Sequence, residues 1–227
     1  MVRAREIVGH FERTAASYDA WYDEHPVLYR TELAALKKAV PRRGRGLEIG
    51  VGTGRFASLL AVRYGLDPSP GMLGLARSRG LRAVRGVGEA LPFKSASFDF
   101  ALIVFVIEFV DDVEGFLAEA ARVLRSRGRL IVGFMDKDSA WGRFFHKTSR
   151  ARRFFHPPSP QMLIGVLERL GLRYEGSWQT LFGPPPDLRR EERPRAGFGQ
   201  GGFVVLQAVK GQQGRRAPAV DKAVRKA

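Results

Sequence analysis

Three glycines alternate in the stretch LEIGVGTGRFA: Gly50, Gly52 and Gly54, with Glu48 just ahead of them and a helix-forming run behind. Glycines so placed let the backbone turn through angles closed to other residues and leave the main chain open to a ligand. Amides at the start of the following helix can then receive a carboxylate or a phosphate. Asp67 ends the next strand, where an acid can accept hydrogen bonds from both hydroxyls of a ribose. A dinucleotide and an S-adenosyl ligand fit equally to this point, and two details separate them. The dinucleotide fingerprint is Gly-x-Gly-x-x-Gly, whereas here the third glycine comes one residue early. Glu48 would also repel a pyrophosphate while attracting an ammonium group. Further along, Glu108 follows a long apolar run at the edge facing the ligand, which makes it the candidate general base or substrate orienter.

Several chemistries are excluded by composition. The chain has no cysteine, so disulfides, thiolate metal sites and cysteine nucleophiles are ruled out. His10, His25, His146 and His156 show no ligand spacing, and no metal site is expected. The formal net charge of +15 favours anionic partners, with RNA among them. No apolar run is long enough to span a bilayer and the amino terminus is too polar for a signal peptide, so a cytoplasmic protein without membrane contact is expected. Asparagine is absent and arginine outnumbers lysine, which favours a thermophilic source.

These residues need elements to hold them. Ile7, Phe11, Ala15, Tyr18 and Tyr22 recur at helical spacing, and Leu33, Leu36 and Val40 follow before Pro41, predicting two amino-terminal helices. From Gly46 strands and helices alternate: GLEI, a helix over 55–62, RYGLD, a helix over 70–79, LRAVRG, the run 98–107, a helix from Val113, then RLIVGF. Ser159 and Pro160 open a further helix that Gly171 ends, and strands over 173–182 and 203–209 follow. Such alternation predicts an α/β Rossmann-like, doubly wound and mainly parallel sheet, whose ligands bind beyond the carboxyl ends of the strands. One domain is expected over 1–210, comprising a helical cap over 1–43, a cofactor-binding core over 44–135, and a lid with the last strands over 136–210. The basic segment 211–227 has little to bury and reads as a disordered tail.

Taken together, LEIGVGTGRFA, GLDPSPGMLGLA, GEALPFKSASFDFALIVFVIEFVDD and EAARVLRSRGRLIVGF resemble the ordered motifs of the class I S-adenosylmethionine-dependent methyltransferases of the methyltransferase domain 11 type. The resemblance covers about 45–134. It implies a seven-stranded sheet with an antiparallel last strand, amino-terminal helices over the cofactor, and S-adenosyl-L-methionine as methyl donor, leaving S-adenosyl-L-homocysteine. It assigns Glu48, Gly50, Gly52 and Gly54 to the methionine part, Asp67 to the ribose, and Pro68 and Met72 to the adenine faces. Gly88 and Glu89 would lie along the adenine edge, Phe105 near the methionine moiety and Tyr18 over the cofactor. Two positions depart from the family: Val87 stands where an aspartate is usual, and Glu108 with Phe109 where histidines are common.

The expected reaction is in-line methyl transfer to a small molecule, an acidic one being favoured by the charge, with RNA as the alternative acceptor. The absence of asparagine excludes an Asn-Pro-Pro-Tyr site and weakens nucleobase amino methylation. A nicotinamide dehydrogenase and a silent cofactor binder are the more distant rivals. Acceptor choice is expected to lie in two segments. In DSAWGRFFHKTSRARRFFHPP, Trp141, Phe145, Thr148 and Phe155 would form the inner stripe of a lid helix. The loop GPPPDLRREERPRAG would bring Arg189, Arg190, Arg193 and Arg195 to the substrate mouth, with Glu191 and Glu192 offsetting part of their charge.

Overall fold

The computed structural model describes residues 2–148, 153–186 and 188–211. Strands β1 (Gly46–Ile49), β2 (Tyr64–Asp67), β3 (Arg82–Arg85), β4 (Phe98–Val104), β5 (Leu124–Met135), β6 (Leu172–Thr180), β7 (Arg195–Ala196) and β8 (Phe203–Lys210) form one sheet in the order β3-β2-β1-β4-β5-β8-β6-β7. The β1, β2, β3, β4 and β5 pairings are parallel, and β8 runs antiparallel between β5 and β6. The apolar run of β4 lies at the centre, where residues from Phe98 to Val104 other than Asp99 are buried. Covering on both faces is what permits a strand with no polar alternation.

Helices cover the two faces. On one, α2 (Pro26–Ala39), α3 (Arg55–Leu59) and α4 (Pro70–Ser78) bury Leu36, Phe56, Leu73 and Ala76 against Phe100, Leu102 and Val205. On the other, α5 (Val113–Val123) and α7 (Pro160–Arg169) bury Phe116, Leu117, Leu163 and Leu167 against Leu47, Ile103 and Val204. Helix α1 (Val2–Glu24) and helix α6 (Ala140–Thr148) lie at the carboxyl edge of the sheet, on the α2 side. The predicted Ser159 cap forms, its hydroxyl accepting from the Met162 amide at 3.4 Å, and the structure adds a like cap on α4, where Ser69 accepts from the Met72 amide at 3.1 Å.

Three expectations need correction. The sheet has eight strands rather than seven, because the long loop before β8 folds back at Arg195 and Ala196 to pair with Gln179 and Trp178. Strand β5 begins at Leu124, ahead of the expected Arg129, since Leu124 pairs with Phe98 across a bulge. Helix α3 stops at Leu59, and Ala61 just beyond it has a left-handed backbone, φ 55°. The tail expected to be disordered lies outside the described residues, apart from Gly211. Among the described residues no helix is long and apolar enough to cross a membrane.

Because β6 is antiparallel to β8, it runs in the same sense as β1 to β5. The carboxyl ends of β1, β2, β4, β5 and β6 therefore share one edge with the start of β8. Onto that edge fall the glycine bend, Asp67, Phe105, Glu108 and Thr180.

Candidate functional site

The bend after β1 hooks back onto β2. The amides of Gly50 and Val51 both donate to the Leu66 carbonyl, at 2.8 and 2.9 Å. All three glycines are left-handed, with φ of 74°, 51° and 81° at Gly50, Gly52 and Gly54. Their surroundings differ. A Cβ on Gly50 would stand 2.3 Å from Val106, and one on Gly54 2.5 Å from Leu81 and 3.1 Å from the Ala76 backbone. At Gly52 the nearest atom would be a ring carbon of Tyr18, 3.9 Å away. Gly50 and Gly54 are thus glycines because protein packs on them, whereas Gly52 borders open space under Tyr18.

Asp67 stitches the bend to α4. One carboxylate oxygen accepts from the Gly52 amide at 3.0 Å and the other from the Ser69 amide at 2.9 Å. Each keeps lone-pair capacity for a further donor. Burial pushes the carboxyl up to about 6, although both amides pull it down. Glu48 is buried beside it, and its Oε2 has no hydrogen-bond partner. Burial holds Glu48 well above the ordinary carboxylate range, with a smaller push from Asp67.

Helix α1 is fastened over the bend by charge. Arg55 binds Asp19 through two nitrogens at 3.0 Å and also Asp23, while Arg79 reaches Asp19 at 2.8 Å and the Thr53 carbonyl at 2.8 Å. Burial would raise Asp19, but the two guanidiniums outweigh it and hold the group below its usual range. Glu12 accepts from the Ser69 hydroxyl and, at 2.9 Å, from the Gly71 amide. The clamp seats Tyr18 over Gly52, with its hydroxyl sharing a 2.8 Å hydrogen bond with that of Tyr22.

The remaining positions fall around this frame. Met72 is buried in the first turn of α4, and the carbonyl of Pro68 accepts from Arg85 at 3.2 Å. The Gly86 amide donates to the Asp67 carbonyl, which brings the turn 86–90 alongside. In that turn Gly88 is buried against Phe116, whereas Glu89 and Val87 are exposed. Phe105 has a left-handed backbone, φ 54°, its amide donates to the Gly133 carbonyl at 3.0 Å, and its ring meets Phe56 and Phe203. A strained non-glycine residue at a strand end marks a place where surrounding structure dictates the backbone.

Glu108 lies in a 3₁₀ turn, Ile107–Phe109, and is fully buried. One oxygen accepts from the Met135 amide at 3.0 Å and the other has no partner. Burial pushes this carboxyl up to about 7, against the pull of the Met135 amide. A second buried acid, Glu32 on α2, went unrecognised in the sequence. It also has an oxygen without a partner, and its carboxyl is pushed well up by burial and then by Glu108. A signal existed: Glu32 stands four residues from both Leu28 and Leu36, on the buried stripe of its helix.

The lid segment closes over this edge. Trp141 is buried and its indole donates to the Gly183 carbonyl at 2.7 Å, while Phe145 meets Trp21 of α1 with centroids 6.5 Å apart. Phe155 is buried against Phe109, and the His156 amide donates to the Glu108 carbonyl at 2.7 Å. Thr148 does not join the inner stripe: it is exposed, and its hydroxyl bonds back to the Phe144 carbonyl at 2.9 Å. The arginine loop turns its basic groups to the surface. Arg189, Arg190, Arg193 and Arg195 are exposed, and the inward contact comes from Glu192, which accepts from the Phe182 and Gly183 amides at 2.7 and 2.9 Å. The Glu192 amide donates to Thr31 beside Glu32, so the loop is tied to α2. Among the described residues no group of three or more His, Asp or Glu side chains is placed to hold a metal ion.

A model of the methyltransferase domain matches residues 47–132. An uncharacterised protein of Methanocaldococcus jannaschii is 38% identical over 88% of this chain and 98% of its own. A Thermotoga maritima structure described as an S-adenosylmethionine-dependent methyltransferase, possible histamine N-methyltransferase, is 42% identical, with TM-score 0.84, covering 88% of this chain and 97% of that one. The chain is a class I S-adenosylmethionine-dependent methyltransferase. A demethylmenaquinone methyltransferase of Tropheryma whipplei is 42% identical over a shorter stretch, 38% of this chain and 39% of its own.

The methyltransferase's buried acids predict an unusual pH profile. Carboxyls raised above their unfolded values add stability below about pH 4, and that stability is lost as pH rises through their folded values, near 6 for Asp67 and 7 for Glu108. Each shift is worth about 3 kcal/mol. Asp19, Asp99 and Glu119 are held low and act the other way, losing their contribution only in acid. His10 and His156 are lowered by burial and oppose the trend weakly. Thermal melts of the ligand-free protein should therefore reach their highest midpoint near pH 5, more than about 5 °C above pH 8. A midpoint that climbs steadily from pH 5 to 8 would show these acids to be solvated.

Proposed function

We propose that the methyltransferase transfers the methyl group of S-adenosylmethionine to a small molecule held between the glycine bend and Glu108. The observation that carries this reading is closure of the edge above the bend. Tyr18 covers Gly52, Trp21 meets Phe145, and Phe11 and Phe155 both pack on Phe109. Such a roof suits a small acceptor and keeps out water and polynucleotide. The name given to the Thermotoga relative, with its small amine, supports the same size class.

The residues fit the donor. The unpartnered Oε2 of Glu48 suits the ammonium of the methionine part, open backbone at Gly52 admits it, and the spare lone pairs of Asp67 suit the ribose hydroxyls. On this reading Gly50 and Gly54 shape the bend, Pro68 and Met72 flank the adenine, Gly88 and Glu89 lie along its edge, and Phe105 borders the methionine moiety. Tyr18 closes the site from above. S-adenosylmethionine supplies an electrophilic methyl on a sulfonium and leaves as S-adenosylhomocysteine. The protein aligns the acceptor with that methyl and excludes solvent.

A second reading, RNA as acceptor, draws on the net charge of +15 and on a basic cleft lined by Lys137, Arg143, His146, Lys147 and His156. Incubation with tritium-labelled S-adenosylmethionine, a panel of small acceptors and bulk RNA separates the two. Label is expected in the small-molecule fraction. Label precipitating with RNA, and lost on ribonuclease treatment, would favour the second reading.

A further inference from the structure

Glu32 and Glu108 come from distant parts of the chain, yet both bury a carboxylate with an oxygen that nothing satisfies. Burying an unpaired charge costs several kcal/mol, so a fold keeps such groups where a ligand completes them. Among the described residues no lysine or arginine forms an ion pair with Glu32, Glu48, Asp67 or Glu108. The arginines that approach this edge, Arg55 and Arg79, are engaged by Asp19 and Asp23. The interior is thus acidic within a strongly basic protein.

The two acids lie near each other at the same carboxyl edge as the bend, since the Glu32 carboxyl is pushed up by Glu108. Glu108 hangs from Met135, whose strand partner Phe203 packs its ring on Phe105, 5.0 Å away. Phe105 meets Phe56, which meets Tyr22 and Tyr29, and Tyr22 shares its hydrogen bond with Tyr18 above Gly52. The Tyr18 hydroxyl is pushed up by burial and, more weakly, by Glu32, Glu48 and Asp67, so acids of both groups lie near it. Thr180, opposite Phe203 in the sheet and so on the same face, adds a buried hydroxyl without a partner.

Resting on the methyl-transfer reading above, we infer that the acceptor is a cationic amine, its ammonium bound between the free oxygens of Glu32 and Glu108 among the rings of Tyr18, Tyr22 and Phe105. Ionised carboxylates supply only acceptors, which an ammonium with its three donors satisfies and a carboxylic acid substrate does not. Aromatic faces add attraction for a cation. The acidic acceptor suggested by net charge is set aside on this ground, because among the described residues no ion-paired lysine or arginine stands beside these buried carboxyls to receive it.

The chemistry balances without a further reactant. An ammonium has no lone pair, so one N–H proton passes to the Glu108 carboxylate, which burial has made a better base. The same burial weakens the ammonium's hold on its proton. The freed lone pair forms the N–C bond to the methyl carbon as the C–S bond breaks, its electron pair returning to sulfur as a neutral thioether. The proton on Glu108 is released to solvent when the methylated ammonium departs.

The test is calorimetric titration of the protein saturated with S-adenosylhomocysteine, using n-butylamine, 2-phenylethylamine and tryptamine beside the corresponding alcohols and carboxylic acids. At least one amine is expected to bind about tenfold or more tighter than its alcohol and acid counterparts. Glu32→Gln and Glu108→Gln should each remove that preference while leaving S-adenosylhomocysteine affinity within about twofold. Both should also raise the melting midpoint of the ligand-free protein at pH 8, which checks folding directly. Amines binding no better than their counterparts, including no binding by any, would overturn the inference. Failure of S-adenosylhomocysteine itself to bind would instead overturn the methyl-transfer reading.

Discussion

Asp67→Ala is expected to weaken S-adenosylhomocysteine binding by about a hundredfold or more while the chain stays folded. Hydrogen bonds from two ribose hydroxyls to a carboxylate are worth about 1.5–3 kcal/mol each, and every 1.4 kcal/mol is about tenfold in affinity. The substitution also releases the Gly52 and Ser69 amides, which Asp67 holds at 3.0 and 2.9 Å, so the bend loses its tie to α4. Against that, a buried carboxyl raised to about 6 is removed, which spares some stability at neutral pH. Asp67→Asn should fall between the two proteins, because its amide can accept through one atom only. Equilibrium dialysis with circular dichroism as the folding check reads the effect. Affinity within about threefold of the parent would mean that the ribose is held elsewhere.

The second large effect separates glycines that look alike in the sequence. Gly54→Ala puts a Cβ at a φ of 81°, 2.5 Å from Leu81 and 3.1 Å from the Ala76 backbone. The left-handed backbone costs about 1–2 kcal/mol and the overpacking about 1–3 kcal/mol. A fall of roughly 10 °C in melting midpoint follows for a domain of this size. Gly52→Ala carries the backbone cost alone, since its nearest neighbour is 3.9 Å away, but its methyl enters the space beneath Tyr18. It should therefore lose ligand affinity out of proportion to stability, and Gly54→Ala the reverse. Paired melts and ligand titrations decide the matter; equal profiles for the two variants would contradict the division of roles.

The fold was legible because its local signals agree. Periodicity placed α1, α2, α5 and α7, the apolar run placed β4, and Ser159 followed by proline opened its helix. What escaped was set by partners distant in the chain. Strand β7 exists only because Arg195 and Ala196 find Gln179 and Trp178, and the early start of β5 depends on Phe98. Neither pairing has a local cue.

The residues proposed to hold the donor were brought together legibly for a different reason. Glu48, the bend and Asp67 occupy consecutive strand ends, so their order in the chain is their order in space. The residues proposed for the acceptor are not contiguous, drawing on α2, the turn after β4 and the end of β6. Glu32 illustrates the difficulty. In ELAALKK it looks like one charge on an amphipathic helix, and only the packing of α2 on the sheet shows it to be buried. Net charge is no better a guide to the interior, since the arginines of the long loop are exposed while Glu192 accepts from the Phe182 and Gly183 amides. A charge total says nothing about which sign lines the interior.

The central proposal is that the carboxyl edge takes an adenosyl amino acid and refuses a dinucleotide. Isothermal titration of the 227-residue chain with S-adenosylhomocysteine and, separately, with NAD tests this most directly. Saturable heat at one site for S-adenosylhomocysteine, with none for NAD, is the expected result. Saturable binding of NAD, with none of S-adenosylhomocysteine, would contradict it.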